Sequence, residues 1–156
     1  MSLISANAAS LEREVAWFSK VLESRINLYF EQPCDWSDIY QLSPPDLADD
    51  GSEYAGLVKR YALAFDERIV LILALIPHLR PQALDLLFIR NKNLERGYTE
   101  FGGWKGRCHS GFLPTCETAA FILAGSDLEK RLAIIRLFES NDPLISNGII
   151  KIEHQG

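Results

Sequence analysis

Two of the three cysteines lie in a glycine-rich stretch over residues 98–125, "YTEFGGWKGRCHSGFLPTCETAAFILAG". Cys108 is followed by His109 and Cys116 by Glu117, so each thiol has a base or a second ligand beside it in the chain. An activated thiol needs a base set against it in space; Cys116 also falls near an expected helix N-terminus, a position that lowers a thiol pKa. A zinc site would draw on Cys108, His109 and Cys116, with His78 or His154 as the fourth ligand. Structural zinc sites bring ligands in close pairs such as CxxC, and adjacent Cys-His is poor geometry for shared chelation. A phosphate loop needs GxxxxGK[ST]; "GGWKGRC" lacks that ending and has Lys105 ahead of its glycine. The cysteines therefore read best as packing residues and His109 as a surface side chain.

The same stretch offers two surfaces. Arg90, Lys92, Arg96, Lys105 and Arg107 could touch phosphates, but the helix expected after "LPT" carries Glu117 and no Lys or Arg, so it is ill suited to read bases. Tyr98, Phe101, Trp104 and Phe112 stand among glycines and suit either an interface or a wing packed onto helices. The candidate contact surface is Tyr98, Glu100, Phe101, Trp104, Lys105 and Arg107.

These residues must be held by a domain. The chain has 156 residues, of which 47% are hydrophobic, enough for one packed core. Its longest apolar run, residues 69–76, is far short of the roughly 20 residues of a membrane helix. The opening "MSLISANAAS" has no basic residue and no signal-like block, so residues 1–10 read as an N-terminal tail and nothing points to export. Three cysteines without a CxxC fit a reduced, cytoplasmic compartment. The net charge is −5, with residues 1–50 holding nine acids and three bases, against the concentrated basic charge of a nucleic-acid binder.

Leu11, Val15, Phe18, Leu22, Ile26 and Tyr29 step by three or four and predict one helix, which Pro33 ends. "SPPDLADDG" is an acidic connector, since paired prolines remove donors and fix φ. Ser52 caps a short helix to about residue 61. "FDERIVLILALIPHL" reads as a buried helix with Asp66 and Glu67 at its positive end and Pro77 near its close. Pro81 opens another over residues 82 to about 90. "YTEF" is a possible strand. Thr115 caps a helix over residues 116 to about 124, closed by a left-handed Gly125. Ser126 and Glu129 form a capping box for a last helix, with Leu128, Leu132, Ile135 and Phe138 as its apolar face. A Ser-Asn-Gly turn and a strand over residues 149–152 end the chain. The expected fold is mainly α (α+β): a winged-helix-like helical domain over 11–153 with a helical extension (11–61) and a small β wing built from the glycine-rich stretch and the C-terminal segment.

Taken together, "FDERIVLILALIPHLRPQALDLLFIRN", "YTEFGG", "GFLPTCETAAFILAG" and "DPLISNGIIKIE" resemble the N-terminal winged-helix-like region of bacterial AAA+ ATPases found with phage-tail-like contractile injection systems. The resemblance spans about residues 11–153. It implies an accessory domain that contacts a protein client, a neighbouring subunit or a C-terminal ATPase module, with no catalysis and no cofactor of its own. ATP and magnesium would belong to that module, whose Walker motifs do not occur in these 156 residues. The ending "KIEHQG" then reads as the approach to a domain boundary, with residues 154–156 opening a linker. A nucleic-acid-binding winged helix and a thiol- or metal-dependent enzyme are the alternatives, and no membrane partner is expected.

Overall fold

A computed structural model describes residues 2–91, 96–105, 111–139 and 142–153. It is mainly helical, with six α-helices and two short antiparallel ladders among the described residues. The helix α1 (Leu3–Tyr29) is the organising rod. It starts at Leu3, where the Ser2 hydroxyl accepts from the Ser5 N–H, so most of the expected tail is its opening turns. Its predicted stripe points inward through Val15, Phe18, Leu22 and Ile26, and Trp17 and Val21 are buried as well. The buried face is wider than one stripe because α2 (Glu53–Arg60), α3 (Phe65–Leu79) and α4 (Cys116–Ala124) all pack on it. Between α1 and α2 the chain has no helix apart from a 3-10 turn at Ile39–Gln41, which the acidic connector over residues 43–51 follows.

One buried polar cluster joins these parts. Arg68 of α3 grips Glu14 of α1 with two donors, Nε to Oε2 at 2.8 Å and Nη2 to Oε1 at 2.6 Å. Tyr54 of α2 donates its hydroxyl to the same carboxylate at 2.7 Å. Arg68 Nη2 also donates to the Pro45 carbonyl at 3.0 Å, which pins the connector. Trp17 lies under the guanidinium at 5.7 Å and donates its indole N–H to the Leu42 carbonyl. Burial and the Glu14 charge push the Tyr54 hydroxyl pKa well up, which keeps it a donor.

α4 is the central element of the C-terminal half, buried at every residue from Thr118 to Ala124. Its end is held by α1: Arg25 Nε donates to Ile122 O at 2.7 Å and Nη2 to Leu123 O at 3.1 Å, satisfying carbonyls that a helix end leaves open. Gly125 closes the helix at φ 59°, a conformation that requires glycine, and an added Cβ would also have to displace the Arg25 guanidinium. α5 (Leu128–Leu137) then packs back on α4, and α6 (Pro143–Ser146) is a single turn.

Several local expectations change. The segment after Pro81 is a 3-10 helix, Pro81–Phe88; three residues per turn bring Leu84 and Leu87 onto one buried face. "YTEF" holds a 3-10 turn, Thr99–Phe101, rather than a strand. A strand would send Tyr98 and Phe101 to opposite faces, whereas here their rings meet at 5.1 Å. The cap of α5 is Asp127, whose carboxylate accepts from the Lys130 N–H, instead of Ser126. α5 also faces the other way: Ile134 enters the core, while Leu128, Leu132 and Ile135 point to solvent. Residues 149–152 form no strand; the Ile149 and Ile150 N–H groups fold back onto the Leu144 carbonyl. The ladders lie wholly within residues 90–113, β1 (Arg90–Asn91) with β2 (Arg96–Gly97) and β3 (Trp104–Lys105) with β4 (Phe112–Leu113).

Removing one partner of a buried pair leaves the other charged and unpaired. Arg68→Ala is expected to cost about 3–5 kcal/mol of stability. Urea unfolding followed by circular dichroism checks this, and a loss under about 1 kcal/mol would mean that the Glu14 cluster is dispensable.

Candidate functional site

An open groove of about 700 Å³ lies between α3, β3–β4, the start of α4 and the C-terminal segment. Each wall follows from local sequence. α3 is apolar almost all round, so its inner faces are consumed by the core while Ala74 and His78 still reach the surface. Ala74, Pro77 and His78 share a face with the buried Val70 and Leu73, at helical steps of three and four. Pro77 sits in the last turn, three residues before the helix ends at Arg80.

The opposite wall depends on two glycines. Gly102 and Gly103 have φ of 62° and 73°, and side chains there would strike Thr115 and the Phe112 ring respectively. Their backbone passes close over the start of α4, and Gly103 N–H donates to Thr115 Oγ1 at 3.0 Å. The Thr115 hydroxyl therefore ties the ladder down, while the Thr118 hydroxyl takes the Thr115 N–H at 3.0 Å. β3 then presents Trp104, 43% exposed, on the lip of the groove beside Leu113 of β4. Lys151 and Glu153 line the remaining side, and Phe138, just past α5, lies at its edge.

The expected contact residues separate. Phe101 is a core residue, 1% exposed and 4.5 Å from the Phe121 ring, so it is removed from the contact surface. Tyr98 is half-buried against Phe30, at 5.0 Å. Glu100 accepts from the Tyr29 hydroxyl at 2.5 Å and holds that phenol up at about 12. Phe112 is buried edge-on to Phe88. Trp104 alone of these aromatics offers a large free surface. Lys105 pairs with Phe112 through the backbone, and Arg107 lies outside the described residues. Cys108, His109, Lys92 and His154 also lie outside them.

The thiol and base-reading alternatives meet specific geometry. Cys116 is half-buried, and burial with the Glu117 charge raises its pKa, against the lowering expected from the helix N-terminus alone. Among the described residues no cluster of three or more His, Cys, Asp or Glu could hold a metal ion. α4, the expected recognition helix, has only Glu117 exposed and cannot lie in a nucleic-acid groove without leaving the core. No single described helix is long and apolar enough to cross a membrane; α3 and the 3-10 helix after it meet at a 105° bend. The α3 side of the groove was not singled out from the sequence. Its signal was the Pro77-His78 pair that ends the apolar run of residues 69–76.

No protein-family model, no curated protein and no solved structure matches this chain.

The raised Cys116 pKa sets a pH dependence. In a chain carrying Cys34→Ser and Cys108→Ser, the rate of iodoacetamide alkylation is expected to rise with pH around a midpoint above that of an unstructured cysteine peptide. A midpoint below the peptide's would reveal an activated thiol and restore the nucleophile reading.

Proposed function

We propose that this chain is a recognition domain that docks a protein segment in the groove between α3 and β3–β4. The observation that carries the reading is the groove itself: an apolar floor, an exposed tryptophan on its lip and charged residues of both signs at its rim. Interface cores favour this composition, since aromatic side chains contribute large buried area at low entropic cost while rim charges set orientation. A site with few converging polar groups suits a peptide chain better than a small polar metabolite.

The resemblance to the N-terminal region of bacterial AAA+ ATPases supports the same role. In that reading the domain is winged-helix-like, β3–β4 is its wing, and α1 with α2 forms the extension over residues 11–61. The docked segment comes from a protein client, a neighbouring subunit or the C-terminal ATPase module, in the cytoplasm. The domain itself performs no catalysis; ATP and magnesium are handled by the module.

Two measurements test this. Peptide display on the immobilised chain is expected to enrich apolar sequences whose affinity falls at least about tenfold on Ala74→Glu and on Trp104→Ala, with melting temperatures unchanged. Calorimetric titration with magnesium-ATP is expected to show no heat of binding. Micromolar ATP binding, or enriched peptides indifferent to both substitutions, would overturn the reading.

A further inference from the structure

The solvent face of α5 is a second apolar surface, distinct from the floor of the groove. Leu128, Leu132 and Ile135 are 68%, 58% and 50% exposed. At about 100° per residue these three fall within one narrow stripe, roughly opposite the buried Ile134. Glu129, Ala133 and Arg136 run beside the stripe and are exposed too. Among the described residues neither Glu129 nor Arg136 has an ion-pair partner, whereas Lys130, on the side of α5 turned away from the stripe, is held by Asp66 at 3.2 Å and lies over Tyr40. The free charges are thus those that border the free apolar stripe.

Their placement is self-complementary. Glu129 and Arg136 are seven residues apart, about 10 Å along the helix, and lie symmetrically about a midpoint between Leu132 and Ala133. Two copies of α5 packed antiparallel about a two-fold axis through that midpoint bring each Glu129 opposite the other copy's Arg136. The Leu128, Leu132 and Ile135 stripes then cover one another. A parallel pair would instead put the Glu129–Arg136 flank of each copy on opposite sides of the interface, so that these charges would not meet. A two-fold interface requires one patch to complement itself, and this patch does so only in the antiparallel sense.

We infer that α5 is a self-association face and that its occupant is a second copy of this chain, packed antiparallel. This inference is independent of the docking role of the groove. A pair of three-turn helices buries less than the ~1,000 Å² of a durable interface, so the dimer is weak, with Kd on the order of 100 µM. It would matter most where copies are already concentrated on a common assembly.

Sedimentation equilibrium of the 156-residue chain, from about 10 µM to about 1 mM, is expected to show a monomer–dimer equilibrium. Leu132→Glu should raise Kd at least about tenfold with unchanged circular dichroism. Glu129→Arg and Arg136→Glu should each raise it about fivefold or more, because each sets like charges face to face. The double reversal in one chain should restore Kd to within about twofold of the parent, and so should mixing the two single variants. A misfolded variant would not be rescued by its counterpart. A chain monomeric throughout, whose α5 face then serves another protein or a different surface, overturns the inference. So does self-association that Leu132→Glu leaves intact or that the paired reversals fail to restore.

Discussion

The carboxylate of Glu14 is the point on which the N-terminal half turns. It is fully buried on α1, and it is made tolerable only by three donors that arrive from two other helices. An isolated charge there would be prohibitive, so α2 and α3 cannot drift away from α1 without exposing the cost of desolvation. The bidentate geometry fixes orientation as well as distance, because Arg68 meets Glu14 through a planar fork. A hydrophobic contact in the same place would allow sliding and rotation that this one does not. The same guanidinium anchors Pro45, so the connector, rich in proline and acid, takes a defined path despite having almost no helix of its own.

That fixed arrangement is what makes the groove possible. α3 contributes one of its walls, and a helix so apolar would be wholly enclosed if the neighbouring elements closed over it. Instead the ladder is held at a set height above the start of α4, by two glycines and the Thr115 hydroxyl, and the α3 surface around Ala74 stays open. Local tightness on one side thus maintains an opening on the other. α5 shows the complementary situation. Its core-facing side is engaged with α4 and Asp66, and its outward stripe carries no burden of the fold.

Much of the helical order is legible in the residues. Ser52, Thr115 and Gly125 mark the helix ends they were expected to mark, because capping is a local matter of one backbone group and its nearest side chain. The stripe from Val15 to Ile26 is equally plain over about three turns. The Glu14–Arg68 pair, by contrast, joins residues 54 apart, and no spacing in the chain distinguishes those two charges from solvated ones. α5 misleads for a different reason. With Leu128, Leu132, Ile134, Ile135 and Leu137 in ten residues it has apolar groups on several faces, and only the position of α4 decides which face is inward. The aromatics of the glycine-rich stretch divide in the same way: Phe101 and Phe112 are inside and Trp104 outside, a difference set by the 3-10 turn and the ladder register rather than by residue type. Four residues with aromatics at both ends suit a strand as well as the 3-10 turn that they form.

The grip of Arg25 on the end of α4 spans 97 residues of chain. Closing a loop of that length costs entropy before the contact returns anything, and contacts of large sequence separation slow folding. The Ile122 and Leu123 carbonyls at the end of α4 meet their Arg25 donors only once α1 is in place, so the C-terminal part assembles on a finished rod rather than beside it. During synthesis Arg25 and the apolar surface of α1 around Leu22 and Ile26 lack the partners that α4 gives them until α4 itself has been made. For that interval α1 carries uncovered apolar surface, and the speed with which α2 and α3 cover its N-terminal half becomes a determinant of yield.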